Sequence, residues 1–410
     1  MLNIQKYISC FDDIREANTY LSSKFKIDCI EDTILSSVDH TWYSAYVYVP
    51  RLHADLSDPI VQEANCLVLD EYGNLVAKAA DIAHEVASPE LLPQSFVLEG
   101  ARVIERGEGS LVTIYNLEGE WYVGGQFSVD AREMPALSKG GLSYNFRVQS
   151  FLEFKRGAEW DVRFMNVDPR LCFSFLYTCP EDNRVVPHKH EELVLLDVIN
   201  LDDGEELPQD RVDSLANHLS FFRPRSRSIH GMNSLRHILK TMQWSRAGIT
   251  LIDRNGLRVD IENPILRALR NAKNAGARIS PTHLVKLYQA CRDEVDVLQI
   301  VRIFPEYDDL LKLTHDTIDE LWGELITLWN TAKREKDDKG FAQMVEHHAL
   351  KHLLFEYKQG RINNIKEAII KLKPQKLLAS IAVKHDKDLN LFARCLKVDN
   401  GGTNGGSEKD

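Results

Sequence analysis

The stretch RVIERGEGSLVTIYN at residues 102–116 contains two β-rich runs on either side of a Gly-Glu-Gly-Ser turn. β-branched and aromatic residues favour strands, and glycines between two such runs favour a tight connection. The segment therefore has the outline of a nucleotide-binding turn. The position at which a reactive amine would be expected is occupied by Arg106. The sequence thus raises the question of whether this turn is an active site or the remnant of one.

Strand-forming runs of the same kind continue on both sides of this stretch, up to about residue 265. They are separated by Gly- or Asn-containing turns such as EYGN, NLEGEW and DRNG, which are typical of antiparallel hairpins. Helical patterns intervene at 11–24, 144–157 and 231–243. We therefore predict an α+β class for this part of the chain, with strands at 41–49, 65–79, 110–129, 171–177, 192–199 and 248–261.

The pattern changes at about residue 264, where long segments of helical periodicity replace the strand-forming runs. Apolar residues recur there every three or four positions, as in HLVKLYQACRDEVDVLQIVRIF and DLLKLTHDTIDELWGELITLW. We predict a first domain at 1–263, an all-α domain at 264–399 and a disordered tail at 400–410, because the last residues are Gly-rich and polar.

Composition and charge exclude several classes of protein. The chain has 410 residues and a formal net charge of −11. This charge argues against indiscriminate binding of nucleic acid but is compatible with a local basic cleft. No apolar run approaches the roughly 18–20 residues that span a bilayer. The seven cysteines form no C-x-x-C pair. We therefore expect a reduced cytoplasmic protein without membrane association, a structural zinc site or a disulfide-linked partner.

Four segments occur in an order that resembles the T-even phage RNA ligase 1 family of covalent nucleotidyltransferases. RGEGSL at 106–111 matches the family's K-x-D-G-S-L turn, and FSFLYTCPEDNRVV at 173–186 is similar to its F-E-F/Y-V-x-P-x-N-R-I-V segment. RAGITLIDRNGLRVDIEN at 246–263 resembles E-G-x-V-V-x-x-x-D-G-x-x-x-K-I-K-S, and 65–86 resembles the strand pair that opens the catalytic core. The resemblance covers about residues 40–395. It implies an RNA-ligase-like nucleotidyltransferase domain of antiparallel sheets flanked by helices, followed by the all-α domain.

The chemistry of that family depends on a lysine, which this turn lacks. Family members attack the α-phosphate of ATP with a lysine amine, using Mg²⁺, and form a lysyl-AMP intermediate. Arg106 matches the position of that lysine. A guanidinium group has a pKa above about 12 and is a very poor nucleophile at neutral pH. The substitution therefore preserves the positive charge and removes the nucleophile.

Other positions that carry the family's chemistry are also changed. Leu176 and Ala247 stand where the resemblance implies glutamates. Asp260 and Glu262 match two lysines that hold the phosphates, so the charge is reversed where a triphosphate would bind. The turn keeps its Glu-Gly-Ser. We expect no functional catalytic residue among the matched family positions, which are Arg106, Glu108, Gly109, Leu176, Ala247, Asp260 and Glu262.

A shifted alignment would offer Lys78 or Lys155 as the nucleophile, but the flanking G-S-L, N-R-V-V and N-G-L-R-V segments fix the register independently. We therefore expect a catalytically inactive pseudo-ligase without a cofactor, which binds RNA, such as a tRNA or its cleaved form, or a partner protein. One alternative is a divergent active RNA ligase that uses ATP and Mg²⁺. The other is a sensor that binds ATP without reacting. If the chain is phage-encoded, its expected location is the host cytoplasm.

The densest basic patch is FFRPRSRSIH at 221–230, in which two phenylalanines precede the arginines. Such an arrangement favours phosphate contacts together with base stacking. The alternative is a linker whose arginines pair with local acids such as Asp210 and Asp213. The predicted RNA-binding residues are Arg223, Arg225, Arg227, Arg236 and Lys240.

Two groups of histidines have spacings that would suit a metal ion, at 188–190 and 347–352. The second group lacks the glutamate of an H-E-x-x-H motif, and the first lies in a predicted surface turn. We therefore predict no metal site.

Overall fold

A computed structural model of the protein contains two compact units, Met1–Asn263 and Pro264–Asp410. The predicted helix at 144–157 and the predicted tail at 400–410 lie outside the described residues. The residues that the structure describes are 1–35, 40–131, 164, 166–180, 188, 190–243, 245–274, 281–291, 294–303, 305, 308–335 and 337–384.

The first unit is of the predicted α+β class. Its helices are α1 (Asn3–Ile8), α2 (Ile14–Lys24), α3 (Pro59–Glu63), α4 (Gln209–Leu219) and α5 (Met232–Thr241). Its strands are β1 (Ile27–Leu35), β2 (Trp42–Pro50), β3 (Leu67–Asp70), β4 (Leu75–Ala77), β5 (His84–Val86), β6 (Arg102–Arg106), β7 (Ser110–Leu117), β8 (Glu120–Gly125), β9 (Leu171–Thr178), β10 (Glu192–Asn200), β11 (Ser226–Ser228), β12 (Gly248–Ile252) and β13 (Arg258–Glu262).

Among the described residues these strands form three sheets, and the strands are antiparallel except where β13 pairs with β5. The first sheet has the order β1-β2-β3-β4, the second β10-β9-β7-β8, and the third β11-β6-β12-β13-β5. β6 and β7 are consecutive in sequence but belong to different sheets. The short turn between them therefore passes from the third sheet to the second.

Side-chain alternation along the strands gives each sheet an apolar face that another element covers. Val47 of β2 packs with Tyr115 of β7, so the first sheet covers part of the second. The opposite face of the second sheet is covered by α4 through Val212 and Ala216. α5 packs against the third sheet through Leu235. The other face of the third sheet carries polar and charged side chains together with the buried Ile104 and Ile252.

The second unit is helical in its described part, as the periodicity predicts. Ile318, Leu321 and Leu325 recur at helical spacing along its longest helix and are buried. No helix in the described ranges is both long and apolar enough to cross a membrane. The helices are α6 (Pro264–Asn274), α7 (Pro281–Ala290), α8 (Glu294–Ile303), α9 (Asp308–Ala332), α10 (Asp338–Val345), α11 (Lys351–Lys358), α12 (Ile365–Ile370) and α13 (Pro374–Lys384).

Each predicted strand region contains strands in the structure, and the predicted helices at 11–24 and 231–243 are present as α2 and α5. The sequence analysis missed β1, whose run IDCIEDTIL has acidic residues that interrupt the apolar alternation. It also missed α4, although Val212, Ala216 and Leu219 recur there at helical spacing and are buried.

Asp213 of α4 joins two arginines from different parts of the chain. Arg102 Nη2 and Arg223 Nε lie 2.7 and 2.8 Å from its carboxylate oxygens. Arg223 Nη1 also donates to the carbonyl oxygen of Leu195 at 2.7 Å, which ties residues 221–228 to β10. Burial alone would raise the pKa of Asp213, but hydrogen bonds from Arg102 and Arg223 outweigh it and lower that pKa.

We expect Asp213→Asn to lower the free energy of unfolding at pH 7 by about 1–2 kcal/mol, because Arg102 and Arg223 lose their common partner and Asp213 is partly exposed. The lowered pKa means that this stabilisation is complete above the ordinary aspartate pKa and disappears as the pH falls through the lowered value. Urea denaturation of both proteins at pH 7 and in steps below pH 4 measures the difference. Asp210→Asn is the matched control, since Asp210 is fully exposed and lies 3.8 Å from Arg102. An equal effect of the two substitutions would contradict the assignment.

Candidate active site

The Gly-Glu-Gly turn at 107–109 connects the second and third sheets, which carry the positions that match the motifs of the RNA ligase 1 family. β6 ends at Arg106 and β7 begins at Ser110. Glu108 between them is buried, with 7% of its surface exposed. The turn faces β9 of the second sheet on one side and continues β6 of the third sheet on the other. The side chains of these strands therefore determine which chemistry is possible at the turn.

Arg106 and Asp260 form an ion pair on the polar face of the third sheet. Nη1 of Arg106 lies 2.8 Å from Oδ2 of Asp260. β6 and β13 both pair with β12, which places the two residues close together across that strand. The Thr250 hydroxyl on β12 donates to Oδ1 of Asp260 at 2.6 Å. Two positions at which the resemblance implies lysines therefore carry opposite charges and neutralise each other.

Gly248 lies between Arg106 and Glu262 in the register of the third sheet. Its φ is +153°, and a Cβ at this position would lie 2.3 Å from the Ile261 carbonyl oxygen, so only glycine fits. Ala247 precedes it, and its N–H donates to the Arg106 carbonyl oxygen at 3.0 Å. Where the resemblance implies a glutamate, the chain thus has the buried methyl group of Ala247 and no carboxylate.

Burial raises the pKa of Asp260, an effect that the Arg106 guanidinium and the Thr250 hydroxyl reduce without cancelling. The Asp260 side chain is 16% exposed and the Arg106 side chain 37%. Glu85 of β5 is paired with Asp260 in register and adds negative charge. A triphosphate at this face would meet carboxylates, and like charges repel strongly where water is scarce.

Leu176 of β9 packs directly against the turn. A Cβ added to Gly107 would lie 2.9 Å from Leu176 Cδ2, and one added to Gly109 would lie 2.7 Å from Leu176 Cγ. A Cβ on Gly109 would also lie 2.7 Å from the carbonyl oxygen of Tyr177. Leu176, which is the other position at which the resemblance implies a glutamate, is therefore an apolar side chain that fills the space above the turn.

A second charged cluster links the second and third sheets nearby. Arg258 of β13 lies 2.6 Å from Asp197 of β10 and also pairs with Glu206. Burial alone would raise the pKa of Asp197, but Arg258 outweighs it and lowers that pKa. This cluster was not predicted from the sequence, because Arg258, Asp197 and Glu206 come from segments that are distant along the chain.

The predicted RNA-binding residues have different environments. The Arg223 side chain is 13% exposed and is used within the unit by Asp213 and Leu195. Arg236 is exposed but forms an ion pair with Glu90 at 3.1 Å. Arg225 and Arg227 are exposed, and neither forms an ion pair with a described residue. Lys240 is exposed on α5. Their contact with RNA remains a prediction.

The alternative nucleophile Lys78 is not placed in the turn. Its side chain is 3% exposed, and Nζ lies 2.5 Å from Oδ1 of Asp81. Lys155 lies outside the described residues. Within the residues that the structure describes, no group of three or more His, Cys, Asp or Glu side chains is arranged to hold a metal ion.

No protein-family model matches the chain, and no curated protein matches it. Solved structures do match the chain. An archaeal ATP-dependent RNA ligase matches with 11% identity over 85% of this chain and 89% of the other, with a TM-score of 0.49. A putative ATP-dependent DNA ligase from Aquifex aeolicus matches with 13% identity over 85% of this chain and 100% of the other, with a TM-score of 0.44. A Naegleria gruberi RNA ligase mutant with AMP and Mn has 16% identity, covers 46% of this chain and 57% of the other, and gives a TM-score of 0.35. All three matches have a low identity and a TM-score below 0.5.

We expect Gly109→Ala to lower the free energy of unfolding by about 1–3 kcal/mol and Gly107→Ala to lower it less, because the methyl group added at 107 meets only the end of the flexible Leu176 side chain. In a Leu176→Ala background the cost of Gly107→Ala should disappear, since only a flexible side chain opposes that methyl group. The cost of Gly109→Ala should persist, because the Tyr177 carbonyl oxygen is part of the backbone. Denaturant unfolding of the two double-mutant cycles measures this. If neither cost depends on Leu176, the side chain does not fill the site.

Proposed function

We propose that the protein is a pseudo-ligase, a ligase-like nucleotidyltransferase scaffold that does not adenylylate itself and acts as an RNA-binding module. The observation that carries this proposal is the ion pair of Arg106 with Asp260, whose atoms are 2.8 Å apart. The motif resemblance to the T-even phage RNA ligase 1 family identifies the reaction that is lost. No cofactor is needed for the proposed function.

The lost reaction is a nucleophilic displacement at phosphorus. A lysine nitrogen forms a bond to the α-phosphorus of ATP with its lone pair, and the bond to pyrophosphate breaks. The amine must first lose its proton, which nearby cations favour and nearby anions oppose. Arg106 has no available lone pair at neutral pH, and its guanidinium is already paired with Asp260. Both the nucleophile and the electrostatics are therefore unsuited to the step.

A divergent active ligase would need another lysine as its nucleophile. Lys78 is the described candidate, but its ammonium group is buried and paired with Asp81. It would have to leave this partner to reach a phosphate. The active-ligase alternative, with its requirement for ATP and Mg²⁺, is therefore less favoured than the pseudo-ligase.

A sensor that binds ATP without reacting would need cations for the phosphates. Asp260 and Glu262 supply negative charge instead, unless a divalent ion bridges them to the nucleotide. The Arg106 guanidinium at this face is already paired with Asp260. Nucleotide binding is accordingly not part of the proposed function.

Binding of RNA is supported by the basic residues outside the turn. Arg225, Arg227 and Lys240 are exposed residues of the first unit, and cationic side chains at a surface contact phosphates. With a net charge of −11, long-range attraction is weak, so a focused site is needed. A partner protein is the alternative ligand, and the cytoplasm, of the host if the chain is phage-encoded, remains the proposed location.

We expect no covalent label when the purified protein is incubated with α-labelled ATP and Mg²⁺ and separated on a gel. Arg106→Lys should also remain unlabelled, because a lysine beside Asp260 would be held in its protonated form. Lys78→Met is the matched control for the alternative. A label on the wild-type protein that Lys78→Met removes would establish an active ligase and overturn the proposal. A label that survives in Lys78→Met would equally overturn it and direct attention to Lys155.

A further inference from the structure

We infer that residues 222–227 form a binding site for single-stranded RNA, in which an unstacked base packs on Phe222 while Arg225 and Arg227 contact neighbouring phosphates. This inference rests on the proposed RNA-binding function and specifies its location and the form of the RNA. The site lies along β11 at one edge of the third sheet, where the backbone of Arg225 is bonded to Glu105, the residue before the ion-paired Arg106.

The backbone of this segment is fixed to two sheets. The Leu195 N–H donates to the carbonyl oxygen of Phe222 at 2.8 Å, and the Glu105 N–H donates to that of Arg225 at 2.9 Å. Arg227 then continues as part of β11, paired with Val103 of β6. A platform fixed in this way loses little conformational entropy when it binds a ligand.

The arginines of the segment divide into one internal and two external residues. Arg223 holds the segment in place, since its guanidinium binds Asp213 and the Leu195 carbonyl oxygen. Arg225 and Arg227 are exposed, and no carboxylate among the described residues pairs with either. Arg225 directly precedes β11 and Arg227 lies within it, and residues two apart in extended chain are about 6.6 Å apart. This arrangement places two cations at a spacing suited to successive phosphates of an extended strand.

The two phenylalanines before the arginines also separate into different roles. Phe221 is buried and forms edge-on contacts with Phe175, at 4.7 Å between ring centroids, so it belongs to the core. Phe222 is 68% exposed although it is large and apolar. An exposed aromatic ring a few residues before two exposed arginines that pair with no described carboxylate is the combination that binds single strands by stacking together with phosphate contacts. A duplex keeps its bases stacked on each other and offers none to Phe222.

The test measures fluorescence anisotropy of labelled oligouridine of about twelve nucleotides, within the site sizes common for single strands. A blunt RNA duplex of the same length is the comparison. We expect the single strand to bind more tightly than the duplex. Phe222→Leu should weaken single-strand binding on the order of tenfold with an unchanged salt dependence, and Phe222→Trp should retain it. Arg225→Ala/Arg227→Ala should reduce the slope of log affinity against log salt by about 1.4.

Arg15→Ala is the matched control, because Arg15 is an exposed arginine of the same unit that is already paired with Glu31 and is not among the predicted RNA-binding residues. It should leave affinity and slope nearly unchanged, and thermal unfolding of each variant checks that the fold is intact. RNA binding that is insensitive to Phe222→Leu, or equal for duplex and single strand, would overturn this inference and leave the proposed function standing. Absence of binding to either RNA would overturn both, and would leave a partner protein as the ligand of the scaffold.

Discussion

The ion pair between Arg106 and Asp260 determines what the site can do, because each residue sets the charge environment of the other. Arg106 ends β6 immediately before the turn that leads into the second sheet. The Asp260 carboxylate is held in place by that guanidinium and by the Thr250 hydroxyl. Removal of either partner would leave the other charge partly buried and unpaired, which is costly. A nucleotide could therefore bind its phosphates here only by displacing an interaction that the fold itself uses.

The same principle operates at two further points between the second and third sheets. Arg258 joins Asp197 and Glu206, and Asp213 joins Arg102 and Arg223. Buried ion pairs contribute little net stability compared with apolar packing, but they demand specific partners and geometry. These clusters thus fix how the two sheets meet. A scaffold fixed in this way is suited to presenting a rigid surface.

The fold was predictable wherever local patterns reflect local structure. The alternation at 110–129 gives β7 and β8, and the 3.6-residue periodicity after residue 264 gives the helical unit. The changed residues of the site were also visible, since Arg106 and Asp260 stand at motif positions. Their pairing was not, because it depends on the register of β6 and β13 with β12. Arg223 and Arg225 likewise belong to the same basic patch of the sequence. Contacts with distant segments bury Arg223, whereas Arg225 is exposed.

Retention of the Gly-Glu-Gly turn does not require retention of the reaction. Gly109 is needed because Leu176 and the Tyr177 carbonyl oxygen leave no room for a Cβ. Gly248 is needed because of its φ of +153° and the nearby Ile261 carbonyl oxygen. Each glycine is thus explained by packing, without a nucleotide. A lysine at position 106 and a lysine at position 260 would place two cations together, which favours a neutral amine and costs stability. Opposite charges at these two positions remove that cost. They also remove the nearby cation that would make an amine at position 106 neutral and therefore reactive.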